Sequence, residues 1–136
     1  MVARISVAAG LIVLIGLAVV SAFQVPVWAS DHALWSAAES VTPDRPRVLI
    51  NLAHAEIQGE TANLDAGLAH LTAARIALQH PWRAHRRNEW AFLIDLNTFY
   101  IVIARQQHDE ARVLLTRMTT AAPAFVSAQR LNQWLE

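Results

Sequence analysis

The side chains able to do chemistry in this chain are few and scattered. Six histidines, His32, His54, His70, His80, His85 and His108, are its candidate nitrogen ligands. Two imidazoles on one helix share a metal when they stand three or four residues apart. No pair here has that spacing, and His80 and His85 are five apart across Pro81. There is no cysteine, which excludes thiolate metal sites, iron–sulfur clusters, disulfides and covalently attached haem. Carboxylates occur singly, apart from Asp109-Glu110. Asp95 lies in a mostly apolar run and is expected to be partly buried and paired or capped rather than catalytic. No phosphate-binding loop, nucleophile elbow or dinucleotide fingerprint occurs. The expectation is a protein that is not an enzyme, with no catalytic residue, metal or cofactor.

The elements that carry these residues are bounded by length and charge. A chain of 136 residues makes one compact domain at most. Its 11 basic residues, all Arg, balance 11 acidic ones, so nothing points to nucleic acid. Arg without Lys, together with abundant Ala, points to a GC-rich bacterial genome. The densest basic cluster is Trp82-Arg83-Ala84-His85-Arg86-Arg87. It suits an anionic partner surface or lipid head groups, and equally a solvated turn that starts a helix.

Ile5 to Phe23 is a 19-residue run without a charge. As a helix it is roughly 28 Å long, close to the thickness of a bilayer's hydrocarbon core. Val20-Ser21-Ala22 has the small-x-small form of a signal-peptidase site, but a cleaved signal has a shorter apolar core. The length favours an uncleaved anchor. Arg4 precedes the run, and no Lys or Arg follows until Arg45. The positive-inside rule then puts the N-terminus in the cytoplasm and the remainder outside, in a periplasm. Trp28 falls near the outer interface, whereas Trp35 fits the core of the first soluble helix. The run has no ionisable residue to carry protons or ions.

After Gln24 the pattern is a train of helices. Gln24–Ala29, with Pro26, reads as a short extended link. Ser30 caps a helix over Asp31–Ser40. Arg47–Gln58 has an apolar stripe of Leu49, Ile50, Leu52, Ala53 and Ile57, ended by Gly59. The next helix starts at Thr61 or Asn63 and runs to about Gln79, with Leu64, Leu68, Leu71, Ala74 and Leu78 inward. Arg86–Gln106 buries Trp90, Leu93, Ile94, Asn97, Ile101 and Ala104. His108–Ala121 follows, and Phe125–Leu135 is a last amphipathic cap. No segment alternates as a strand would.

Pro43, Pro81 and Pro123 each end a helix, 38 and 42 residues apart. Ahead of them Asp31/Ala38, Ala69/Ile76 and Ala111/Met118 recur at one offset. A period near 40 built from helix pairs is the mark of a helical solenoid. Ala104–Pro123, with Asp109-Glu110-Ala111, and the triplet Asn51-Leu52-Ala53 resemble tetratricopeptide (TPR) repeats. Ala53 stands where the family has Gly, Ile76 and Met118 where it has Ala, and both hairpins are longer than the standard repeat. The stretch Val27-Trp28-Ala29-Ser30-Asp31-His32-Ala33-Leu34-Trp35, followed by Pro43 and Asn51-Leu52, is similar to the junction between the last membrane helix and the external TPR tail of O-mannosyltransferase-type membrane glycosyltransferases. The chain lacks the catalytic part of such an enzyme.

The expected fold is therefore all-α, with an N-terminal transmembrane anchor and link over 1–29 and a TPR-like helical-hairpin domain over 30–136. The resemblance implies a surface for protein partners, with Arg47, Ile50, His54 and Ile57 on the exposed inner face of the first repeat. Trp82, Arg83, Arg86 and Arg87 complete the candidate contacts. The expected role is an accessory or assembly subunit of a larger bacterial inner-membrane complex, photosynthetic or respiratory for example. Its partners would be other subunits and the lipid bilayer. The alternative is an envelope or glycan-assembly factor.

Overall fold

The computed structural model describes residues 2–59, 61–80 and 87–121, with side chains described from Gly10 onward. Among these residues the protein is all-helical, with six α-helices and no strand: α1 Val2–Gln24, α2 Asp31–Val41, α3 Pro46–Gln58, α4 Leu64–Ala77, α5 Arg87–Ala104 and α6 His108–Ala121. The expected cap over Phe125–Leu135 lies outside the described residues, as do Pro81 and Pro123.

Among the described residues α1 is the one helix long and apolar enough to cross a membrane. Every residue from Gly10 to Gln24 is exposed, and among the described elements α1 touches only the turn that follows it. That turn corrects the expectation of an extended link. Val25–Trp28 is a 3-10 turn with Pro26 in its first positions. Proline is tolerated there because the first N–H groups of a helical turn have no internal partner to lose. Trp28 is exposed and Trp35 half-buried.

The remaining helices start where local chemistry satisfies their free N–H groups. Ser30 Oγ accepts from the Ala33 amide at 3.1 Å at the start of α2. Asn63 Oδ1 accepts from the Ala66 amide at 3.0 Å at the start of α4. Pro46 occupies the first turn of α3. α3 stops at Gly59, where a Cβ would stand 2.9 Å from the Ala55 carbonyl. α5 ends in a tight reversal: Gln106 adopts φ 59°, and the Gln106 and Gln107 amides donate to the Ile103 and Val102 carbonyls at 2.9 and 2.8 Å. This paired closure of a helix C-terminus sends α6 straight back along α5.

Two helical hairpins result, α3–α4 and α5–α6, with both α3 and α4 packed on α5 and α2 laid against α3. One cluster joins Leu49, Ile50, Ala53, Leu71, Ala74, Leu78, Ile94 and Ile101 across α3, α4 and α5. A second joins Phe99, Val102, Ala111, Leu114, Leu115 and Met118 inside α5–α6. The inward faces of α3 and α4 are as expected, with Leu64 and Leu68 half-buried. On α5, Ala104 is exposed, while Asp95, Phe99 and Val102 are buried. The helix turns about 100° per residue, so Ala104 has rotated off the face that Ile94 and Ile101 share.

The proline-based offset is also corrected. Ala69 and Ile76 point outward, Ile76 being 61% exposed, whereas Ala111 and Met118 are fully buried. α4 buries Gly67, Leu71, Ala74 and Ala77, and α6 buries Ala111, Leu114, Leu115 and Met118; Gly67, Leu71 and Ala74 correspond to Ala111, Leu115 and Met118. Each member of the second set follows its counterpart by 44 positions (67 to 111, 71 to 115, 74 to 118). The described correspondence follows small residues, Gly67 and Ala111, where two helices approach.

Candidate functional site

α3 and α5 lie side by side and run in the same direction. Arg47, Ile50 and Asn51 of α3 line one groove with Glu89, Trp90 and Leu93 of α5. One turn further along, His54 Nδ1 meets Asn97 Oδ1 at 3.0 Å. Asn97 is buried, and its amide donates to the Leu93 carbonyl at 2.8 Å. The groove is thus an apolar floor with a guanidinium, a carboxamide and a carboxylate at its rim. Such a mixture suits contact with a polypeptide.

The expected contact residues divide on this geometry. Arg47 and His54 are exposed on the α3 face toward α5. Ile50 is a correction: only 3% accessible, it belongs to the core and contributes just the floor of the groove. Ile57 is a correction too, half-buried and packed against the core beside Gly67. Both residues lie on a stripe wide enough to touch α4 as well as α5, and an apolar side chain takes the buried side. Arg87 is exposed at the start of α5, and Trp82, Arg83 and Arg86 lie outside the described residues. Asn51, Glu89 and Leu93 were not among the expected contacts. Their signal is positional: Asn51 sits one turn after Arg47, Leu93 one turn after Trp90, and Glu89 one turn before Leu93.

Two polar clusters stand behind this face. Asp95 is 4% exposed, and its carboxylate pairs with Arg75 of α4 through one oxygen and with Arg117 Nε of α6 at 2.8 Å through the other. Three helices of the two hairpins meet on one buried charge. The expected pairing of Asp95 is thus present, as a structural tie. Between α2, α3 and α4, Glu56 has a buried side chain and accepts from His70 Nδ1 at 2.8 Å. His70 Nε2 lies 3.3 Å from Glu39, and His32 Nε2 lies 4.0 Å from the second Glu56 oxygen. His32, His54, Glu56 and Asp31 border an open hollow of about 630 Å³. This cluster was missed, although Glu56 falls on the same apolar stripe as Leu49, Leu52 and Ala53, which is the sign of a buried carboxylate.

Among the described residues no three His, Asp or Glu side chains converge as ligands for one metal ion. Comparison with known proteins yields no matching family model, no matching curated protein and no matching solved structure.

Proposed function

We propose that the chain is a membrane-anchored, non-catalytic contact module, an accessory or assembly subunit of a larger inner-membrane complex. The observation that carries this reading is α1. It holds a long apolar surface, exposed from Gly10 to Gln24 and unpacked against the hairpins, and such a surface is stable only in lipid or against other apolar helices. The groove between α3 and α5 supports the second half of the reading. It is mixed in character, as a surface for protein contact is, and the TPR-like order of the hairpins fits that use. The flanking charge pattern supports an N-terminus inside and a domain in the periplasm.

Extraction of native membranes in mild detergent tests the proposal. The chain should resist alkaline carbonate, migrate as part of a larger assembly and bring other subunits with it. Because the chain has no cysteine, an Ala69→Cys variant carries one reactive thiol on an exposed helix face. A membrane-impermeant maleimide should label it from the periplasmic side. Release by carbonate, migration as a free monomer, or labelling only after the inner membrane is opened would each overturn the corresponding part.

A further inference from the structure

The hollow between the start of α2 and the end of α3 is bordered by hydrogen-bond acceptors that the fold leaves unused. Glu56 is only 9% exposed. One of its carboxylate oxygens accepts from His70 Nδ1 at 2.8 Å. The other accepts no hydrogen bond among the described residues. His32 Nε2 approaches it at 4.0 Å, which is beyond hydrogen-bond length. An ionised carboxylate accepts through both oxygens and donates through neither. A nearly buried one with a free oxygen therefore calls for a donor. His54 adds a second acceptor. The Asn97 amide donates to the Leu93 carbonyl, which turns the Asn97 oxygen to His54 Nδ1 at 3.0 Å. His54 thus holds a proton on Nδ1, and the neutral ring keeps a lone pair on Nε2. Asp31 supplies a further carboxylate to the lining.

The hollow encloses about 630 Å³ and takes in the last turn of α3 at Ala55 and Gln58. The final carbonyls of a helix lack internal partners and form the negative end of its dipole. No Arg stands among the described lining residues. These surroundings fit a cation rich in N–H groups. A bare metal ion does not match them, because among the described residues no three His, Asp or Glu side chains converge on one point. A guanidinium does match. It is planar and always charged, and its five N–H donors form a fork that reaches acceptors standing apart. An ammonium holds all its donors on one atom. Position indicates the source. Only Ala29 and Ser30 separate Asp31 from the turn that follows α1. The hollow therefore lies beside the end of the anchor, where a segment flanking a partner's own membrane helix would arrive.

We propose that this hollow is a receptor for an arginine side chain of a partner subunit. Glu56 and Asp31 bind its charge, and His54 Nε2 accepts one of its N–H groups. The inference rests on the reading of the chain as a contact module and names the chemistry of one contact. The site is separate from the groove between α3 and α5, which has a guanidinium of its own, Arg47, at its rim. Charge-assisted bonds to a carboxylate that is already desolvated give such a contact its specificity, since a neutral or acidic group offers no match for the free oxygen.

Three probes of one shape test the assignment: n-butylguanidinium, n-butylammonium and the uncharged n-butylurea. Each is titrated at constant pH into the full 15N-labelled chain in nonionic detergent micelles. Butylguanidinium should give saturable shifts in the His54 ring and in the backbone amides of Asp31 and Thr61. Butylammonium should bind at least about tenfold more weakly, having fewer charge-assisted bonds to make. Butylurea should leave the signals unmoved. Asp31→Asn and Glu56→Gln should each weaken butylguanidinium binding about tenfold or more, with circular dichroism unchanged. Asp109→Asn, exposed on α6, should bind as the parent does. If Glu56→Gln loses helix, Asp31→Asn alone decides. Absence of saturation, equal binding of butylammonium (the mark of a lipid amine or a lysine), or full affinity in Asp31→Asn would overturn the assignment. Subunits that co-purify with a chain unable to bind butylguanidinium would remove this inference and leave the proposed function. A free monomer that binds the probe would do the reverse, removing the partner and leaving the chemistry of the hollow.

Discussion

Asp95 is the residue at which burial and charge conflict most directly. Its carboxylate is buried, yet the side chains of Arg75 and Arg117 are 43% and 51% exposed. Breaking a fully buried pair costs about 3–5 kcal/mol because a charge is left stranded. Here a released Arg can reach water, so the loss reduces to charge-assisted hydrogen bonds. Asp95→Asn should therefore lower stability by about 1.5–3 kcal/mol. Arg75→Ala or Arg117→Ala should each cost less, since the remaining guanidinium still neutralises the carboxylate. Thermal unfolding of the three variants in one detergent checks this order, and an Asp95→Asn protein as stable as the parent would refute it. Asp95 was legible in the sequence because a lone carboxylate in an apolar run has to find a partner. Glu56 carried the same signal within α3. Its partners were not legible, because Glu39 and His70 are brought to it by tertiary packing. Ile50 was misplaced for a related reason: a face assigned from family likeness does not say which side chains on it turn inward.

At the scale of the element, helix boundaries were the most readable feature. Ser30, Asn63 and Gly59 mark ends by specific chemistry, and α6 has the expected bounds. The 3-10 turn was misread because proline disfavours a helix interior but is accepted in a first turn. The packing repeat was misread because an offset counted from prolines does not say which helix face turns inward. Gly67 shows what sets that repeat. A Cβ added there would lie 3.0 Å from Ile57 Cγ1 and 3.4 Å from the Ala53 carbonyl. Gly67→Ala gains up to about 1 kcal/mol of helix propensity and asks Ile57 to yield slightly. It should therefore be close to neutral. Gly67→Val drives branched methyls into α3 and should destabilise by about 1–3 kcal/mol. Chemical denaturation of the two variants separates these outcomes, and equal stability would show that α3 and α4 are not held this close.

At the scale of the molecule, the hairpins form one cohesive body and α2 is its loosest attachment. Both apolar clusters lie within α3 to α6. Amide hydrogen exchange should accordingly release α2 first and protect α3 and α5 longest, because local opening costs least where few apolar contacts are broken. Protection of α2 equal to that of α5 would contradict this ranking. The all-helical architecture was legible from periodicity, whereas the parallel alignment of α3 and α5 was not. That alignment depends on contacts such as His54 with Asn97, far apart in the chain. The junction between α1 and α2 has one more consequence. Only Ala29 and Ser30 separate the 3-10 turn from α2. A flexible tether of n residues would let the domain explore a radius of about 5–6 Å × √n, and this chain has almost no such radius. With α1 in the bilayer as proposed, the groove moves as the anchor moves, confined to a thin layer at the membrane surface. A partner confined to the same layer finds it by lateral diffusion. Much of the rotational freedom that two soluble proteins surrender on docking has then been given up beforehand.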